Sequence, residues 1–89
     1  MIYVDQLCNY NGRHWCHMTA DGEDELHRFA LALGIQRRWY QNKGYKWHYD
    51  LDPIRRQLAV QRGAAEINSR QMVRLMQERR SHEAAPASR

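Results

Sequence analysis

Gln6-Leu7-Cys8-Asn9-Tyr10-Asn11-Gly12-Arg13-His14-Trp15-Cys16-His17-Met18-Thr19-Ala20 is the stretch on whose reading the fold depends. It shows little apolar periodicity, and Asn9, Asn11 and Gly12 are turn formers, so residues 6–20 read as one long loop. Long loops in compact domains are often functional. Before it, Ile2-Tyr3-Val4 is a short β-prone run that ends at Asp5 and makes a first strand. After it, Asp21 stands as an N-cap, and Glu23, Asp24 and Glu25 put carboxylates in the first turn, where they complement the helix dipole. Leu26, Phe29, Ala30 and Leu33 follow the i, i+3, i+4, i+7 spacing of a buried helical stripe, with Gly34 suited to the residue that ends it.

Ile35 to Gln41 reads as a second strand through Trp39 and Tyr40, followed by a turn at Asn42-Lys43-Gly44. Trp47 to Leu51 fits either an edge strand or an extended lead-in. Asp52 as N-cap with Pro53 at the first helical position starts the next helix, Ile54, Leu58 and Ala59 supply its stripe, and Gly63 stops it. Ala64-Ala65-Glu66-Ile67, between two helices, makes a third strand. Asn68 or Ser69 caps a last helix with Met72, Val73, Leu75 and Met76 on its apolar face, and residues 80–89 lack a stripe and read as a flexible tail. Parallel neighbours need crossover helices. The expectation is therefore a single α/β domain over residues 1–79, with a short, mainly parallel three-stranded sheet and three helices in two or three layers. Ligands of such sheets gather beyond the carboxyl ends of the strands, here Asp5, Gln41 and Asn68.

At 89 residues the chain has room for one core, which excludes multidomain enzymes. A hydrophobic content of 43% with 27% charged residues excludes a disordered tail protein and a membrane protein alike. No basic segment followed by an apolar run opens the sequence, so no signal peptide is read and a cytoplasmic setting is expected, in which Cys8 and Cys16 stay reduced. Residues 1–52 carry a net charge of −1 and residues 53–89 a net charge of +5. That basic second half suits an anionic partner, although single arginines also serve as solvated helix faces.

Two constellations carry chemistry. Asp5, His14, His17, Asp21, His48 and Asp50 bring imidazoles and carboxylates to a strand end and two helix starts, a donor set for Mg²⁺, Mn²⁺ or Zn²⁺ that would polarise a phosphate and activate water. Asp5, Asp21 and Asp50 are the metal-ligand candidates; Asp5, His17 and His48 are the catalytic ones. N-capping alone accounts for Asp21 and Asp52, whereas a carboxylate ending a buried strand, as Asp5 does, calls for a charge partner. The second constellation runs from Arg37 to Tyr49 and interleaves cations with aromatics, charge for phosphates with flat faces for bases. It makes Arg38, Gln41, Lys43, Lys46 and Trp47 candidates for nucleic-acid or phosphate binding, with Arg55 and Arg56 beside them. Neither a zinc-finger spacing, nor HExxH, nor a phosphate-binding glycine fingerprint occurs.

The pieces YVD (Tyr3 to Asp5), WCHMTAD (Trp15 to Asp21), ELHRFA (Glu25 to Ala30), RWYQ (Arg38 to Gln41) and HYDL (His48 to Leu51), with Arg55, Arg56, Gly63 and Ala64, give the chain a further character. In this order the set resembles a short bacterial and phage family described as a domain of unknown function, numbered four-zero-three-one, over nearly all of residues 1–78. The resemblance implies a self-contained domain and adds no reaction or cofactor. It draws attention to Asp5, His17, Asp21, His48 and Asp50, which lie within the matching pieces, and away from His14, which does not.

The leading expectation is a small metal-dependent phosphoesterase or nuclease-like domain acting on nucleic acid or a nucleotide. The alternatives are a non-catalytic nucleotide- or nucleic-acid-binding module and a phage-type protein-interaction module that uses the aromatic segment as its anchor. A three-stranded sheet in so short a chain leaves exposed edges, so a homodimer is a further expectation, and a membrane partner is not.

Overall fold

Asn11 and Gly12 both take positive φ, 51° and 82°, the backbone of a two-residue hairpin turn of the type that Asn-Gly favours. They fold β2 (Cys8–Tyr10) back onto β3 (Arg13–Ala20), with Cys8 opposite Trp15 and Tyr10 opposite Arg13. Residues 6–20 are thus largely strand, and the long loop expected from their polar content is corrected. The computed structural model describes residues 1–84.

Strand β1 (Ile2–Val4) pairs antiparallel with the second half of β3, Ile2 opposite Ala20 and Val4 opposite Met18. The β2 pairing is offset by one residue from this register, so residues 5–7 hold an extra residue between them, a bulge that follows Asp5, whose N–H still pairs with the His17 carbonyl at 3.1 Å. On the other edge of β3 lies β4 (Tyr49–Leu51), antiparallel, with His17 opposite Asp50. The two-residue β5 (Ala65–Glu66) runs parallel to β1. The sheet is therefore mixed and five-stranded, with one parallel pairing; the mainly parallel three-stranded sheet is overturned by the hairpin, which supplies an antiparallel neighbour within the chain and needs no crossover helix.

Three helices complete the domain: α1 (Glu23–Ala32), α2 (Pro53–Gln61) and α3 (Ser69–Ala84). Their starts follow local chemistry. Asp52 Oδ1 accepts the Arg55 N–H at 2.8 Å, and Asn68 and Gln71 exchange side-chain-to-backbone hydrogen bonds of 2.8 and 2.9 Å across the first turn of α3. In α1 the N-cap is Gly22, because the Asp21 carboxylate is drawn to the Met1 amino group (3.3 Å) and the Tyr3 hydroxyl (3.1 Å). The expected tail boundary at residue 80 falls inside α3; residues 85–89 of that tail lie outside the described residues. The strand expected over residues 35–41 is instead a single 3-10 turn (Arg37–Trp39), since β4 already holds that edge of β3, and Gln41 joins the sheet through a single antiparallel bridge to His48, just before β4.

Strand alternation sends Val4 from β1, Cys16, Met18 and Ala20 from β3, and Tyr49 and Leu51 from β4 into a core shared with Leu26 and Ala30 of α1 and Ala59 of α2. Each large side chain so buried contributes about 1.5–3 kcal/mol. Thr19 points to the other face, where α3 is tied down by one side chain. Arg79 donates to the carbonyls of Tyr45 (2.8 Å) and Ala20 (3.0 Å) and to Thr19 Oγ1 (3.1 Å), with its guanidinium 3.5 Å from the centroid of the Trp47 ring.

Candidate metal centre

The β3–β4 register sets His17 beside Asp50, and the β1–β3 register, continued by one residue, sets Asp5 on its other side. His17 Nδ1 lies 2.8 Å from Asp5 Oδ2, while the His17 backbone N–H donates to Asp5 Oδ1 at 2.6 Å. A carboxylate only accepts, so Nδ1 carries the proton and Nε2 is the nitrogen left with a lone pair. His48 is oriented in the same way at Nδ1, which is 2.7 Å from the Lys46 carbonyl, likewise only an acceptor; its Nε2, 3.2 Å from Asp50 Oδ1, faces a second acceptor and donates to it, through a proton that a metal would displace. The two imidazoles meet edge to face with centroids 4.8 Å apart.

His17, His48 and Asp50 each offer a ligand atom within 4.8 Å of the others. Metal bonds of about 2.1 Å put ligand atoms at most about 4.2 Å apart; His48 Nε2 and Asp50 Oδ1, at 3.2 Å, already meet that limit, and the set as a whole would draw together by some tenths of an ångström around an ion. Two neutral imidazoles and one carboxylate suit Zn²⁺ or Mn²⁺ better than the oxygen-seeking Mg²⁺. Asp5, 3% exposed, holds His17 as an outer partner, its two oxygens both engaged.

The electrostatics agree with this arrangement. The hydrogen bond that His17 donates to Asp5 raises the His17 pKa above its ordinary value, against the opposing effect of burial, and the hydrogen bond that Asp50 accepts from His48 lowers that of Asp50. Burial, reinforced by the Asp5 charge, pushes the Cys16 thiol up to about 12, which leaves it inert beside the cluster.

A cleft of about 870 Å³ opens over the three residues, with Arg13, Trp15, Trp39, Gln41, Lys43 and Arg55 on its walls. A second cleft of about 480 Å³ meets it at His17 and His48 and runs to Tyr45, Lys46 and the α3 residues Met72 and Met76.

Of the residues singled out by sequence, the site unites Asp5, His17, His48 and Asp50, with Gln41, Lys43, Lys46 and Arg55 around it. Asp5 engages His17 with both carboxylate oxygens and is not among the three residues whose ligand atoms converge. Asp21 does not belong: it sits at the far end of β3, tied to Met1 and Tyr3. Trp47 is buried beneath Arg79, and Arg56 is committed to the Asp5 carbonyl (2.8 Å) and Glu66 (3.1 Å), so neither is free for phosphate. Arg38 is exposed over the Trp39 ring, 5.4 Å from its centroid, and lines neither cleft; His14 lines neither as well. Arg13 and Trp15 escaped the sequence reading, and strand alternation from the Asn11-Gly12 turn is the signal that would have placed Trp15 on the same face as His17.

These features define a mixed α/β domain in which His17 of the central strand meets His48 and Asp50 at the start of its neighbour β4, on the floor of a cation-bearing cleft. The chain belongs to the family described as Protein of unknown function (DUF4031), whose model matches residues 2–79. No curated protein and no solved structure matches it. No helix among the described residues is long and apolar enough to cross a membrane.

Proposed function

We propose that this domain is a divalent-metal-dependent phosphodiesterase acting on nucleic acid or a nucleotide. The observation that carries the reading is the approach of His17, His48 and Asp50 to within 4.8 Å, with both imidazoles already oriented by acceptors at Nδ1. A dication bound there would lower the pKa of a coordinated water and polarise a phosphoryl oxygen. Asp5 keeps His17 in the tautomer that presents Nε2. Lys43 and Arg13, which have no carboxylate partner among the described residues, attract the phosphate. The water oxygen bonds to phosphorus, the P–O ester bond breaks, and the alcohol leaves with a proton.

A thermal-unfolding scan of the metal-stripped protein with Zn²⁺, Mn²⁺ and Mg²⁺, paired with hydrolysis of bis(p-nitrophenyl) phosphate, tests this. Zn²⁺ or Mn²⁺ is expected to raise the melting temperature and support turnover, and His17→Ala and Asp50→Asn to lose both. Absence of a shift with every metal would overturn it. A non-catalytic nucleic-acid module is favoured by one specific observation, the 57% exposure of Trp39 on the wall of the larger cleft, which offers a ring to a base. Binding of an oligonucleotide by the metal-free protein, with no turnover in any metal, would support that second reading.

A further inference from the structure

The cluster does not sit at the closed end of a pocket. His17, His48, Lys43 and Cys8 line both clefts, so two of the three candidate ligands mark the junction between two troughs lined by different elements, and Asp50 stands beside them on the larger. Each trough has its own aromatic ring and its own cation. In the larger, Trp39 is exposed and Arg13 stands beside it. In the smaller, Tyr45 carries the Lys46 ammonium and the Arg80 guanidinium, each 5.6 Å from its ring centroid, above an apolar wall of Met72, Val73 and Met76.

Lys43 and Lys46, like Arg13, have no carboxylate partner among the described residues, so the cationic lining is continuous across the junction. A mononucleotide or a terminal phosphate would occupy one trough and leave the other empty. A chain carrying a negative charge on every unit and a flat apolar face between charges matches both troughs at once. We infer that the occupant is a single strand of nucleic acid laid across the junction, so that an internal phosphodiester meets the metal and the strand continues into both clefts. A duplex fits this less well, because its base faces are already stacked and unavailable to Trp39 and Tyr45. This inference rests on the proposed phosphodiesterase activity and adds to it the substrate class and an endonucleolytic mode.

The test uses the Mn²⁺- or Zn²⁺-loaded full chain with bis(p-nitrophenyl) phosphate and with covalently closed circular oligonucleotides, one of DNA and one of RNA. Conversion of either circle to the linear form is expected, the two arms telling which sugar is accepted. Val73→Glu, an exposed position 53% accessible and therefore compatible with folding, places a negative charge in the smaller trough. It should depress circle cleavage at least tenfold more than it depresses hydrolysis of the small diester. Lys46→Glu, also exposed, should do the same and guards against a local packing effect of the first variant. Hydrolysis of the small diester with both circles intact would overturn the inference while sparing the phosphodiesterase. So would an equal loss on both substrates in both variants. No hydrolysis of any substrate would overturn both.

Discussion

Asp5 grips His17 at two points, taking its backbone N–H on one carboxylate oxygen (2.6 Å) and its ring Nδ1 on the other (2.8 Å). Asp5 continues the β1–β3 register directly opposite His17, its own N–H donating to the His17 carbonyl at 3.1 Å, so the pleat sends both side chains to the face opposite Val4 and Met18. The Asp5 carbonyl is taken by Arg56 (2.8 Å), and the carboxylate accepts the His17 N–H in its place.

Asp5→Asn should preserve the fold and weaken metal binding about 10–100-fold, the usual loss when the outer partner of a ligating histidine is removed. The amide oxygen can serve only one of the two His17 donors. If it keeps the backbone N–H, the amide NH₂ faces Nδ1 and drives the ring proton to Nε2, the atom needed for the metal. Titration of Zn²⁺ by calorimetry measures the loss, and unchanged affinity would remove Asp5 from the positioning role.

Gly12→Ala should cost about 1 kcal/mol of folding stability through backbone strain alone. Its φ of 82° is strained for any residue with a Cβ, yet a Cβ there would meet nothing within 4 Å, so no clash contributes. Urea unfolding of the pair of proteins reads the difference. A neutral substitution would mean that the turn relaxes to another type without disturbing the β2–β3 register.

The helices were legible in the sequence because their signals are local. Asp52 with Pro53, and Asn68 three residues before Gln71, each satisfy helix-start N–H groups from within one turn. The sheet was not, because its pairing links residues far apart and its local marker, Asn11-Gly12, is flanked by Arg13 and His14, exposed residues that hide the alternation beginning at Trp15. For the site, residue type was enough to nominate Asp5, His17, His48 and Asp50. Which of the carboxylates meet the imidazoles is decided by the β3–β4 and β1–β3 registers, and Asp21, only four positions from His17, ends up just past the end of β3, tied to Met1.

Arg79→Met keeps the length and apolar stem of the side chain while removing every donor. It takes this donor from the Tyr45 and Ala20 carbonyls and from Thr19 Oγ1, whose hydroxyl keeps only its bond to the Trp47 carbonyl, and the expected loss is about 2–4 kcal/mol. Arg79→Lys should recover only part of this, since one ammonium cannot reach the same set of acceptors with a planar fork. Thermal unfolding of the three proteins ranks them. Equal stability of the methionine variant would show that α3 is held by its apolar contacts alone.

His27 gives the fold an acid-sensitive element remote from the metal cluster. Its Nδ1 is 2.9 Å from the Tyr49 hydroxyl and its ring packs edge-on against Tyr40, centroids 4.5 Å apart. Burial, helped by the Arg37 charge, lowers its pKa below the ordinary 6.5. In the unfolded chain the ring takes a proton near 6.5, but in the native protein it does so only at lower pH, so between the two values the unfolded state binds more protons. Stability must then fall as pH drops from 6.5 toward the native pKa, and level off, for this group, below it. His27→Gln, which keeps a side chain able to bond Tyr49 and cannot take up a proton, should flatten that part of the stability–pH profile of the metal-free protein. A slope unchanged by the substitution would assign the acid sensitivity to another group.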